Sequence, residues 1–286
     1  MRSSVDAAGW RGVNQAVGTV ACAHADLALP ARPSEYRRTL QAYAGDDLVI
    51  AGSFLLTDAV VEIARANPAT HFVLVDPLVM PPALPNLQVL TFRSDQAAFM
   101  AGALAGMVTR TGVVAGVYGP DGAMDKSNRL GFEQGARYVR PGVRVLGAYQ
   151  PAGSSPYADP AWGAGQARSF VHEHADVIFG AGGTTGQGAL LGAAESGVAC
   201  INEDLVVSSN PSCVIATSVK FVDHGVKMAV ADAIAGPWQG RVQSLGIAQA
   251  AVGLSLGTDP GLTSDVRGRL RTIADMLAAG SISLSP

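Results

Sequence analysis

Asp95 stands where an extended apolar run ends and a helix of small residues begins, in Thr91-Phe92-Arg93-Ser94-Asp95-Gln96-Ala97-Ala98-Phe99-Met100-Ala101-Gly102. A carboxylate at such a junction projects at the carboxyl edge of a parallel sheet, where open α/β folds bind their ligands. It is equally a good helix N-cap. Three more apolar runs end in polar groups of the same sense: Gly182-Gly183-Thr184, Asn202-Glu203-Asp204 and Ser218-Val219-Lys220. Each alone reads as a cap or a solvated loop; four at successive strand ends point to a shared polar site. Carboxylates facing one lysine suit a ligand with several hydroxyls and polar ring atoms, because each acid accepts two hydrogen bonds. Phe54, Tyr157 and Trp162, placed in loops, offer a stacking face. That chemistry is capture of a sugar or nucleoside.

Catalytic patterns are thin. The chain has no Gly-x-Ser-x-Gly elbow, no His-Glu-x-x-His and no P-loop. The string Gly180-Ala181-Gly182-Gly183-Thr184-Thr185-Gly186-Gln187-Gly188 lacks the spacing and the Lys-Ser/Thr ending of a phosphate cradle. Its glycines let backbone amides approach a neutral ligand, or simply make a tight turn. The five histidines are scattered, with His172 and His174 flanking a helix end, and no Cys/His cluster has metal spacing. Neither a metal nor a cofactor is expected, and an enzyme such as a nucleoside hydrolase is disfavoured because no nucleophile has a positioned partner.

The elements that must position these groups follow from composition and period. The 286 residues are 48% hydrophobic and 15% charged, with net charge −3 and mean hydropathy +0.25. Disorder is excluded by that balance, and nucleic-acid binding by the lack of a basic field. Apolar stretches are strand-length, short of the ~20 residues that span a bilayer. Cys22 reads as a strand residue; Cys200 and Cys213 sit in neighbouring strands and read as two buried thiols, with a disulfide as the oxidised alternative.

Apolar runs predict strands at 18–23, 48–51, 72–75, 87–92, 113–118, 144–149, 177–180, 199–201 and 214–219, with weaker ones at 243–246 and 250–254. Helical periods predict helices at 3–16, 33–43, 58–66, 95–109, 129–139, 162–174, 185–196, 222–235 and 263–279. This alternation makes an α/β chain of doubly wound parallel-sheet lobes. Loops at 76–85, 119–125 and 151–160 follow strands, where such folds build sites.

Four segments carry a resemblance: Asp47 to Val60, Phe92 to Gly102, Gly131-Phe132-Glu133-Gln134-Gly135-Ala136-Arg137-Tyr138-Val139-Arg140-Pro141, and Ala175-Asp176-Val177-Ile178-Phe179-Gly180-Ala181-Gly182-Gly183. In this order the chain resembles the basic membrane protein family of ABC-transporter substrate-binding proteins, which includes purine-nucleoside-binding lipoproteins. The resemblance implies a type I periplasmic-binding-protein fold with three hinge crossovers. Its lobes would be residues 1–93 plus 223–242 and residues 94–222 plus 243–286, with a nucleoside-like ligand in the cleft. It implies that Asp95 binds ligand hydroxyls or base nitrogens and that Gly183 offers its backbone. Asp204, or Asn202 beside it, would hold ribose hydroxyls, Lys220 would complete the polar rim, and Tyr157 would cover the base.

The implied partners are a small-molecule ligand and ABC permease subunits, outside the cytoplasm at the membrane; monomer is the default assembly. Two departures stand out. Ser4-Val5-Asp6 occupies the place of the family's Ser-Phe-Asn, so Val5 replaces an aromatic and Asp6 an amide. The family's first strand, signal and lipid-anchor cysteine have no counterpart. Loss of a central strand would strand buried backbone groups at roughly 1–3 kcal/mol each. The expectation is a start inside a longer reading frame; the alternatives are a cytoplasmic sensor of the same fold or a truncated, non-functional copy.

Overall fold

The computed structural model describes residues 4–18, 24–203 and 211–284. In chain order the elements are α1 (Ser4–Val17), α2 (Pro33–Ala42), β1 (Leu48–Ala51), α3 (Thr57–Ala66), β2 (His71–Val75) and β3 (Leu87–Phe92). Next come α4 (Ser94–Val108), β4 (Val113–Pro120), α5 (Ala123–Val139), β5 (Arg144–Gln150), α6 (Pro160–His172), β6 (Val177–Gly180), α7 (Gly183–Glu195), β7 (Ala199–Glu203) and β8 (Val214–Lys220). The chain closes with α8 (Val222–Ala235), β9 (Val242–Leu245), β10 (Val252–Leu256) and α9 (Ser264–Ala278). It divides into two units: Met1–Phe92 with Phe221–Leu245, and Arg93–Lys220 with Gly246–Pro286.

The first unit holds a parallel sheet in the order β1-β2-β3-β9. Phe72, Val73, Leu74 and Val75 are all buried, as expected of strands covered on both faces. Val60, Ile63 and Ala64 of α3 pack with Leu40 of α2 on one cluster of strand side chains. A Cβ on Gly225 of α8 would crowd the Leu245 tip at 2.9 Å and the Phe92 ring at 3.1 Å, so α8 sits close on β9 and β3.

The second unit holds six strands in the order β10-β8-β7-β6-β4-β5, parallel except for the β10–β8 pair. Strand period 2 sorts β4: Val114 and Tyr118 face a cluster with α4, α5 and α9, while Ala115 and Val117 face α6 and α7. Helices thus cover both faces, the doubly wound arrangement. The α4–α5 contact explains why α4 is built from small residues. A Cβ on Gly102 would overlap the Phe132 carbonyl, one on Gly131 the Asp95 carbonyl, and one on Gly135 the Phe99 carbonyl. The helices touch backbone to backbone at these points.

The structure corrects several local expectations. Helix α5 starts at Ala123, six residues before 129, so Ala123, Met124 and Asp125 are helical rather than loop. The reason is tertiary: Asp125 accepts the Gly119 N–H and ties the helix start to β4. Trp162 lies within α6, its N–H held by the Asp159 cap, and its ring packs beside Ala167 and Phe170 instead of forming a loop platform. Cys200 and Cys213 are joined by a disulfide with Cα atoms 5.2 Å apart, not held as two thiols. Gly18 closes α1 as a turn, and residues 19–23, Cys22 included, lie outside the described residues. Among the described residues no helix is long and apolar enough to cross a membrane.

Gly135→Ala must push α4 and α5 apart and is expected to lower stability by roughly 1–3 kcal/mol in urea unfolding; an unchanged midpoint contradicts the contact. Reducing the Cys200–Cys213 bond should cost about 2–4 kcal/mol. Unfolding curves identical with and without reductant would contradict a disulfide.

Candidate functional site

Within the second unit, the carboxyl ends of β4 to β8 gather a polar cluster. Its base is the loop between β5 and α6, organised by one buried glutamine. Gln150 ends β5 with its side chain sealed from solvent. Its amide N–H groups go to Ser154 Oγ and Ser155 O, both at 2.8 Å. Its Oε1 accepts the Tyr157 N–H at 3.0 Å and the Thr185 hydroxyl at 2.9 Å. Thr185 in turn accepts the Asp159 N–H at 3.0 Å. With every polar atom of Gln150 and Thr185 engaged, the loop has one favoured conformation. It carries Tyr157 at a φ of +62°, a left-handed value uncommon for an aromatic residue.

The tyrosine's carbonyl accepts the Thr184 N–H and hydroxyl at 3.0 and 3.1 Å, locking the loop to the start of α7. Gly182 and Gly183 form that start at φ +88° and +66°. A Cβ on Gly182 would overlap the Gly119 backbone, and one on Gly183 would sit 2.8 Å from the Tyr157 carbonyl. Both glycines are required by conformation and by space.

Above this base lie Asp125, Asn128 and Glu203. Asp125 and Asn128 sit one turn apart on α5, each 1% exposed. Asp125 Oδ1 accepts the Gly119 N–H at 2.9 Å. Glu203, ending β7, accepts the Asn128 amide at 2.9 Å on Oε1 and the Gly182 N–H at 3.1 Å on Oε2. Asp125 Oδ2 and Asn128 Oδ1 are buried without a hydrogen-bond partner. Burial pushes the Asp125 carboxyl up to about 6, and the Glu203 charge adds to the shift. The Gly119 amide, the Tyr157 hydroxyl and the Lys220 charge pull against it. Burial and Asp125 push the Tyr157 phenol up to about 12.

Of the residues expected at a binding site, Tyr157 and Gly183 meet directly. Asn202 is buried in β7 beside Glu203, and Lys220 ends β8 close enough for its charge to act on Tyr157 and Asp125. Asp95 occupies the first turn of α4, its carboxylate gripped by Arg93 through Nε at 2.8 Å and a terminal nitrogen at 2.6 Å. Its backbone carbonyl rests against Gly131, one turn beyond Asn128 on α5. Phe54 and Asp6 belong to the first unit. Phe54 is exposed in a one-turn 3-10 segment after β1, and Asp6 is in the first turn of α1. Asp204 lies outside the described residues.

Sequence reasoning missed Asp125, Asn128 and Gln150. The available signal was the i, i+3 spacing of Asp125 and Asn128, which places both on one helix face. Arg93 was overlooked although it stands two residues from Asp95.

Because Asp125 titrates near 6 when folded and near 3.9 unfolded, the native state holds the extra proton between those values. Stability therefore falls as pH rises from about 4 through 6. The buried charge costs on the order of 3 kcal/mol at neutral pH. Asp125→Asn keeps the Gly119 bond and should raise the melting temperature by several degrees at pH 7.5, with the gain vanishing below about pH 4. A gain independent of pH, or none, would contradict the buried carboxylate.

Comparison with known proteins identifies the family. The family model Bmp, ABC transporter substrate-binding protein PnrA-like, matches residues 31–271. Basic membrane protein B of Borrelia garinii subsp. bavariensis is 27% identical over 219 residues, covering 74% of this chain and 63% of that protein. Basic membrane protein A of Borreliella burgdorferi is 28% identical over 190 residues, covering 65% and 55% respectively. The chain therefore spans less than two thirds of the length of these relatives. Among solved structures, an ABC transporter solute-binding protein of Conexibacter woesei superposes with TM-score 0.79 at 18% identity, covering 98% of this chain and 93% of that one. The transcriptional activator of the comK gene from Bacillus halodurans gives 0.80 at 15%, covering 97% and 95%. At such identities the likeness speaks for the fold alone, two doubly wound α/β units. The family match extends over most of the chain, and the chain belongs to the PnrA-like family of ABC transporter substrate-binding proteins.

Proposed function

We propose that this protein captures a nucleoside-like ligand at the carboxyl ends of its second unit's strands and delivers it unaltered to the permease of an ABC importer. The observation that carries the reading is the convergence of Tyr157, Glu203 and Lys220 on Asp125, with Asn128 and Gly182 both bound to Glu203, in a chain of the substrate-binding family. Acceptors of this density suit ribose hydroxyls and base nitrogens, and Tyr157 supplies an aromatic surface.

In this proposal Asp95, Asn202 and Asp204 accept hydrogen bonds from the ligand, and Lys220 donates one. Gly183 contributes backbone. Asp95 is pre-set for the task because Arg93 holds its carboxylate in one orientation, which lowers the entropy cost of binding. The protein binds without catalysing, as a monomer. The Cys200–Cys213 disulfide favours an oxidising compartment outside the cytoplasm over the alternative of a cytoplasmic sensor.

Titration calorimetry with adenosine, guanosine, inosine, cytidine and uridine tests the reading, with release of free base followed in parallel. Micromolar or tighter binding of a nucleoside without base release is expected. Asp95→Ala should abolish that binding while leaving the unfolding transition in place. Absence of binding across the panel overturns the ligand class, and unchanged affinity in Asp95→Ala overturns its assignment.

A further inference from the structure

Two buried acceptors in the second unit have nothing to accept. Asp125 Oδ2 and Asn128 Oδ1 are each without a hydrogen-bond partner, on side chains 1% exposed. Leaving such atoms unmatched costs roughly 1–3 kcal/mol apiece, more where charge is involved, so their retention calls for a donor that arrives from outside. Of the neighbouring donors only the Tyr157 hydroxyl reaches Asp125, and an incoming ligand would have to displace it; the others are spent. The Gly119 N–H is spent on Asp125 Oδ1, the Asn128 amide on Glu203 Oε1, and the Gly182 N–H on Glu203 Oε2.

The Tyr157 ring stands against Asp125. Tyr157 lies across Gly119, where an added Cβ would be 2.6 Å from its ring and 3.0 Å from Asp125 Oδ1. Its backbone is pinned through Gln150 and Thr184, so displacement of the ring alone would leave these loop hydrogen bonds in place. Asp125 and Asn128 lie at i and i+3 on α5, neighbours on one helix face. Two adjacent acceptors fit one group with two hydrogens.

We propose that Asp125 and Asn128 form a subsite for a primary amino group, so that the ligand is a nucleoside with an exocyclic –NH2 on its base. The inference rests on the nucleoside reading above and narrows it. Each N–H meets one oxygen, and displacement of Tyr157 brings the ring over the base. The groups facing Asp125 are Glu203 from β7, Tyr157 from the β5–α6 loop, Lys220 from β8 and the Gly119 amide of β4. Protonation turns the Asp125 carboxyl into a donor and removes the fit, which sets the acid limit of recognition near its titration at about 6.

Adenosine and purine riboside differ only by the amino group. At pH 7.5 the wild-type protein should bind adenosine at least tenfold tighter than purine riboside, and the preference should collapse at pH 5. Asp125→Asn places an N–H2 against the incoming amine if its oxygen keeps the Gly119 bond. It should erase both the preference and its pH dependence, with a thermal transition no lower than wild type. Asn128→Ala should reduce the preference severalfold. Equal affinity for the two ligands in the wild-type protein, or a preference that survives in both variants, overturns the amino subsite while the nucleoside reading stands. Failure of every nucleoside in the panel to bind overturns both.

Discussion

A carboxyl group sealed inside a protein needs hydrogen bonds and countercharge, or it takes up a proton. Asp125 receives one backbone N–H from Gly119 and lies near a second acid, Glu203, which opposes its ionisation. Around this under-supplied group the strand ends of the second unit are organised. Glu203 is held between Asn128 and Gly182, and Gly182 can approach Gly119 only because it lacks a Cβ. Tyr157 is presented by a loop whose conformation Gln150 dictates. An apolar residue at position 125 would pack with less cost, so the buried acid is held at the expense of stability.

The scaffold beneath the site is stiff where the site needs it. Helix α5 bears Asp125 and Asn128 and is fixed against α4 by glycine contacts at Gly102, Gly131 and Gly135. Asp95 begins α4, so the same helix pair sets the spacing between Asp95 and the Asp125 cluster. The disulfide ties the beginnings of β7 and β8 at the opposite edge of the sheet. Side chains at the carboxyl ends can therefore exchange partners while the framework that carries them stays in register.

How much of this could be read from the chain depended on the range of the interaction. Strands such as Val177–Gly180 declare themselves because burial on both faces leaves an unbroken apolar run. The polar endings at Gly183, Asn202 and Lys220 were legible for the same reason, since they terminate such runs. Asp125 was illegible: Asp121-Gly122-Ala123-Met124-Asp125-Lys126 has loop composition, and only the Gly119 amide and Glu203 from another strand give it meaning. Trp162 looked like a loop aromatic until α6 was seen to begin at Pro160 with Asp159 as its cap. The cysteines left their own state open, because pairing is decided by the approach of two strands and not by spacing along the chain.

The central claim is that Asp125 is a buried, underpaired acceptor held ready for a ligand donor. Its most direct measurement is the carboxyl titration of Asp125 by carbon-13 NMR, with and without saturating adenosine. The account predicts a midpoint near 6 in the free protein, moving down when the ligand's N–H groups stabilise the carboxylate. A midpoint near 4 in the free protein, unmoved by ligand, would contradict it.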